Sequence, residues 1–143
     1  MIIRPATPAD FPLWMPLWQQ YLDFYQRDLP AGITRSVFER LCVGNEMLGL
    51  VAASDDGQLL GLMNLVFHSS TWSLHGYCYV EDLLVAPEYR GQGVARALFA
   101  YAGQLADKRQ CDRVYWLTGK DNLAARSLYD SLGHQIPFVV YNR

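Results

Sequence analysis

Two arginines and two glycines within seven residues, in the run Arg90-Gly91-Gln92-Gly93-Val94-Ala95-Arg96, are the residue types from which a phosphate site is made. Before the run, Tyr79-Val80-Glu81-Asp82-Leu83-Leu84-Val85 is rich in apolar and β-branched residues and reads as a strand that Pro87 stops. After it, Val94, Ala95, Leu98, Phe99, Ala102, Leu105 and Ala106 recur at helical spacing. The glycine turn therefore opens a helix. Free backbone N–H groups and the positive end of the helix dipole face outward there, and glycine lacks the Cβ that would hold an anion away. Two nucleotide-binding patterns are excluded. A P-loop needs Gly-Lys-Ser/Thr, but Gly119-Lys120 is followed by Asp121. A dinucleotide fingerprint needs glycine where the chain has Arg96, and it opens a larger nucleotide domain instead of lying past the midpoint of 143 residues.

The strand before the turn carries two adjacent carboxylates, Glu81 and Asp82. Strand alternation sends them to opposite faces, so only one of the two reaches a one-sided site. His68, His75 and His134 lack metal-ligand spacing, and no metal is expected. No G-x-S-x-G marks a serine nucleophile, and no neighbour in the sequence supports a nucleophilic cysteine.

What remains is the pattern Arg/Gln-x-x-Gly-x-Gly/Ala, met by Arg90, Gly93 and Ala95. With Glu81-Asp82-Leu83 before it, and with Arg113-Val114-Tyr115-Trp116-Leu117, Asn122 and the run Ala125 to Gly133 after it, the chain resembles the GNAT superfamily of acyl-coenzyme A dependent N-acetyltransferases. The resemblance is greatest to the branch around the spermidine/spermine acetyltransferases and their bacterial relatives, and the two blocks cover about a third of the chain in the family's order. It implies that acetyl-coenzyme A is the co-substrate, cradled by Arg90, Gly91, Gln92, Gly93, Val94, Ala95 and Arg96. It also implies that the backbone of Leu83, Leu84 and Val85 pairs with the pantetheine arm as an added strand, with the Val85 N–H facing the thioester carbonyl. Asn122, Leu123, Ala124 and Ala125 match the second block that lines the coenzyme. Glu81 takes the place of the base that deprotonates the amine, and Tyr129 that of the acid near the sulfur. Tyr129 also falls on the apolar stripe Ala125, Leu128, Leu132, where a tyrosine can serve packing alone. The implied reaction is acetyl transfer to a primary amine (a small amine, a polyamine or a lysine) by direct attack in a ternary complex. A non-catalytic acyl-coenzyme A sensor and acyl transfer to a non-amine acceptor are the alternatives.

The elements that hold these residues read in the order β-α-α-β-β-β-α-β-α-β, an α/β fold with a mixed, mostly antiparallel sheet and helices on both faces. A strand near Ile2 to Arg4 precedes a helical region from Pro8 to Arg27, in which Trp14, Trp18, Tyr21 and Tyr25 share a face and Pro16 implies a bend. Thr34 reads as the N-cap of a helix to Val43. Strands from Met47 to Ser54 and Leu59 to Phe67 flank the hairpin signal Asp55-Asp56-Gly57. The strand from Leu74 to Val85, the helix to Lys108, the strand from Arg113 to Thr118, the helix from Leu123 to Leu132 and a last strand from Phe138 to Tyr141 complete the order.

At 143 residues and 51% hydrophobic, the chain reads as one domain spanning residues 1–143. A net charge of −2 provides no field for nucleic acid. No apolar run reaches a membrane span, and Met1-Ile2-Ile3-Arg4 leads into Pro5 without the apolar core of a signal peptide. Cys42, Cys78 and Cys111 form no pairing motif, which gives the expectation of reduced thiols in a cytoplasmic protein. The expected partners are a small-molecule or peptide amine and, in a homodimer, a second copy of the chain. Asp23, Asp28 and Glu39 in the first helices are candidates to attract a cationic amine.

Overall fold

A computed structural model describes all 143 residues. Five strands form one sheet in the order β1 (Ile2–Pro5), β2 (Met47–Ala53), β3 (Leu59–Ser70), β4 (Ser73–Val85) and β5 (Arg113–Trp116). The first four are antiparallel neighbours, β2 to β3 and β3 to β4 through short turns and β1 to β2 through the first two helices, and β5 is parallel to β4. The parallel pair requires a crossover, supplied by α3 (Val94–Lys108). The helices α1 (Phe11–Phe24) and α2 (Ala31–Val43) cover one face of the sheet, and α3 and α4 (Leu123–Leu132) lie on the other.

Period-two alternation divides the core between these faces. Met63, Leu65, Phe67, Cys78 and Val80 meet Val94, Leu98, Phe99 and Ala102 of α3. Leu62 and Leu84 meet Trp14, Leu17, Trp18 and Leu22 of α1 and Phe38 and Leu41 of α2. Trp14 stacks on Trp18 at 5.2 Å and Trp18 on Tyr21 at 5.3 Å, so the aromatic stripe of α1 begins in the core and ends at its C-terminal rim. Arg4 of β1 donates twice to Asp10, at 2.7 and 2.8 Å, and ties the first strand to the turn that opens α1. That guanidinium, helped by the Thr7 N–H and hydroxyl, holds the Asp10 carboxyl down at about 2.

Several boundaries differ from the sequence reading. Pro8–Asp10 is a 3₁₀ turn, and α1 contains Pro16 without breaking. Pro16 comes one turn in, where its missing N–H forfeits a single bond. Pro30 stands at the cap of α2, and Thr34 is buried within the helix. Residues Phe138 to Tyr141 form no strand. They are 72 to 90% exposed, and the outer edge of β5 has no partner. Strand propensity without a bonded neighbour does not make a strand.

Candidate active site

Parallel pairing of β4 with β5 runs only from Tyr77 opposite Arg113 to Val80 opposite Trp116. There β5 ends, while β4 continues for five residues without a neighbour on that side. A cleft of about 920 Å³ opens where the strands part, walled by residues 80–85 of β4, the glycine turn, the first turns of α4 and the C-terminal end of α1. Every residue read from the sequence as binding the coenzyme or carrying the chemistry lines it except Gln92 and Leu123. The Gln92 side-chain amide instead donates to the Glu88 carbonyl at 3.0 Å.

The turn has the backbone that an anion needs. Gly91 and Gly93 have φ of 72° and 84°, in the left-handed region that side chains with a Cβ avoid. No backbone N–H from Gly91 to Arg96 donates to a protein acceptor; the first to do so is Ala97, to the Gly93 carbonyl at 3.0 Å. Six consecutive donors are thus left without a protein acceptor at the N-terminal end of α3, where the helix dipole is positive. A Cβ built on either glycine meets nothing within 4 Å, so the space above the turn is open. Arg96 donates to Ser131 of α4 at 2.8 Å, and Arg90 donates to the Val85 carbonyl at 3.1 Å. Both arginines are thereby fixed at the rim.

The exposed edge of β4 is also ordered. Ala86 donates to Leu60 of β3 at 2.9 Å. By the alternation of an antiparallel ladder, Leu84 therefore turns its backbone groups to β3, and Leu83 and Val85 turn theirs to the cleft. Leu84 has only its side chain to offer the cleft.

Glu81 and Asp82 both line the cleft, contrary to simple alternation. Asn64 faces Asp82 across the ladder and Leu65 faces Val80, so Glu81 is an extra residue in a β-bulge that re-aims the pair. Burial and the neighbouring Asp82 raise the Glu81 carboxyl above its ordinary range. Asp82 is raised by burial against the pull of Asn64 and Tyr21. Asn64, only 2% exposed, donates to Asp82 at 2.9 Å. It is the one amide within the apolar run Leu59-Leu60-Gly61-Leu62-Met63-Asn64-Leu65-Val66-Phe67, a signal the sequence reading passed over. Of the acids placed near the first helices, Asp23 lines the cleft, whereas Asp28 and Glu39 do not.

Tyr129 lies on the far wall, edge-on to Phe99 at 5.8 Å and to Trp116 at 5.6 Å. Its hydroxyl has no bonding partner in the protein, and burial raises its pKa. Tyr25 reaches the same cleft from α1. Asn122 caps α4, its Oδ1 accepting from the Ala125 N–H at 3.3 Å, which leaves its side-chain N–H groups free. Ala124 and Ala125 keep the adjoining wall shallow.

Residues 12–134 match the model of the acetyltransferase (GNAT) family. The chain belongs to this family. As a GNAT protein it is 26% identical over 145 residues to the D-amino-acid N-acetyltransferase HPA3 of Saccharomyces cerevisiae, covering all of this chain and 90% of the relative. It is 34% identical over 73 residues to the thialysine N-epsilon-acetyltransferase of Caenorhabditis elegans, covering 50% of this chain and 45% of that one. A crystal structure of a probable acetyltransferase superposes with a TM-score of 0.89 at 30% identity, over 100% of this chain and 97% of the other. The GNAT fold expected from the motifs is thus the fold observed.

Proposed function

We propose that this GNAT N-acetyltransferase moves the acetyl group of acetyl-coenzyme A to a primary amine by direct attack in a ternary complex. The observation that carries the reading is the run of six unpaired N–H donors at the start of α3, beside a strand edge freed by the parting of β4 and β5. The donors from Gly91 to Arg96 bind the pyrophosphate, with Arg90 and Arg96 supplying charge at the rim. Leu83 and Val85 bond the pantetheine arm, and the Val85 N–H donates to the thioester oxygen, where charge develops during attack.

The amine nitrogen forms the new amide bond as the carbon–sulfur bond breaks. Its proton passes to Glu81, whose raised pKa makes it a stronger base than an ordinary carboxylate. The sulfur leaves toward Tyr129. A phenol held above its ordinary pKa is a poor source of a fully transferred proton, so Tyr129 acts as a hydrogen-bond donor to the thiolate. Relatives named for acetylating D-amino acids and thialysine support an amine as acceptor.

Three cysteines without disulfides support a cytoplasmic setting. The exposed apolar residues Phe138 to Tyr141 and the free edge of β5 support a homodimer. Thermal unfolding tests donor binding: millimolar coenzyme A raises the midpoint, and equal NAD or ATP does not. No shift with coenzyme A would remove the proposal.

A further inference from the structure

Below the acid pair, the sheet face that carries α1 and α2 is left without a helix. Cys78, Val80, Val114 and Trp116 point to α3, so Tyr77 and Tyr79 of β4 and Arg113 and Tyr115 of β5 point the other way. Tyr79 stacks on Tyr115 at 4.9 Å. The Tyr115 hydroxyl meets His68 Nε2 at 2.7 Å, which fixes the ring from β3. The Arg113 guanidinium lies 5.5 Å from the centre of Tyr77 and 5.2 Å from that of Tyr115. The ion pairs of the protein are Arg4 with Asp10 and the N-terminus with Asp55, and Arg113 donates to no protein acceptor. An arginine with its fork unspent, laid on a half-buried aromatic floor, is suited to a carboxylate.

The floor lies outside the cleft lining and adjoins it along β4, where Tyr79 precedes Glu81 by two residues. Glu81 and Arg113 act in opposite directions on the Tyr115 hydroxyl, so this ring lies within the field of both. Arg113 faces Tyr77, and its guanidinium reaches over to Tyr115, level with Tyr79. Glu81 stands two to four residues further along β4, roughly 7–13 Å away. An acceptor whose amine sits at Glu81 has room to extend its far end across Tyr79 and Tyr115 toward a positive charge.

We propose that Arg113, supported by Tyr77 and Tyr115, is a specificity-determining subsite that reads a carboxylate on the acceptor. The preferred acceptors are then aminocarboxylates whose amine and carboxylate are separated by a chain of about four to six atoms. The distal cation of a diamine meets repulsion at the same place. This inference rests on the acetyltransferase reading and narrows its acceptor.

The experiment uses the full chain with three acceptors of similar length: 6-aminohexanoate, hexylamine and 1,5-diaminopentane. We expect kcat/KM for 6-aminohexanoate to exceed that for either other amine by tenfold or more, with the advantage in KM. In Arg113→Gln the ratio of 6-aminohexanoate to hexylamine falls toward one, and in Arg113→Lys, which keeps the charge and loses the fork, it is intermediate. Both variants are scored only as ratios within one preparation, so a change in the amount of folded enzyme cancels. Equal kcat/KM for the three amines in the unmodified protein, a preference for the diamine, or a ratio that survives Arg113→Gln overturns the subsite while leaving the acetyltransferase standing. Failure to acetylate any amine, together with no response to coenzyme A, overturns both.

Discussion

Replacing Gly93 by alanine separates the two reasons for a glycine in the turn. The residue sits at φ 84° and ψ 4°, where an L side chain costs about 1–2 kcal/mol. Alanine also stiffens the unfolded chain, which returns about 0.4–1 kcal/mol. Its methyl meets no protein atom within 4 Å, so no clash is added. The net loss of stability is about 1 kcal/mol, a fall in midpoint of roughly 2–5 °C for a domain of this size. The effect on the donor is larger. The methyl stands in the open space above the turn, and each charge-assisted bond displaced there costs about 1.5–3 kcal/mol. The dissociation constant of coenzyme A should therefore rise by roughly tenfold to more than a hundredfold. Gly103→Ala, inside α3 with no atom within 4 Å of the new Cβ, is the control, expected to stabilise by about 0.5–1 kcal/mol and leave binding alone. Calorimetric titration and thermal unfolding measure both quantities. Unchanged coenzyme A affinity in folded Gly93→Ala would show that the turn serves the backbone only and refute the cradle.

Other substitutions bear on the chemistry and on the frame. Tyr129→Phe loses no protein hydrogen bond, so it should fold as the parent does and bind coenzyme A normally, with kcat reduced roughly 10²-fold; an unimpaired kcat would assign Tyr129 to packing. Glu81→Gln should lower the rate at neutral pH by a similar factor and recover part of it in alkali, where free amine is abundant, and a pH–rate profile parallel to that of the parent would discard Glu81 as base. Asp10 is held at about 2 against an ordinary 3.8. Its contribution of about 2 kcal/mol is therefore present above pH 4 and lost as pH falls toward 2. Arg4→Gln should remove the larger share of that acid-sensitive part in urea titrations at pH 6 and pH 3, with the Thr7 bonds to Asp10 keeping the rest, and an unchanged pH dependence would show that the pair contributes nothing.

The strand, turn and helix from Tyr79 to Ala106 were legible because each has its own local signal: apolar run, paired glycines, then helical spacing. The mixed, mostly antiparallel sheet and the helices on both of its faces were expected from the order of elements and the family resemblance. What local pattern could not carry was the pairing. The bulge at Glu81 has no residue signature, so alternation placed Asp82 on the wrong face. Residues Phe138 to Tyr141 have strand composition, yet no strand forms without a partner edge. Register also decides that Leu83 and Val85, and not Leu84, open their backbones to the cleft. Asn64 lies under Asp82, and Arg113 stands within reach of Glu81, only because β3, β4 and β5 align them across 18 and 32 residues of chain.

The central claim, transfer of acetyl from coenzyme A to nitrogen without an acyl-enzyme, is tested most directly by following both products of one reaction. With acetyl-coenzyme A and an amine, the protein should release one free thiol for each amide formed. With acetyl-coenzyme A alone, the mass of the intact protein should stay unchanged. Thiol release without amide, or a protein that gains an acetyl group and then passes it to the amine, would contradict the account.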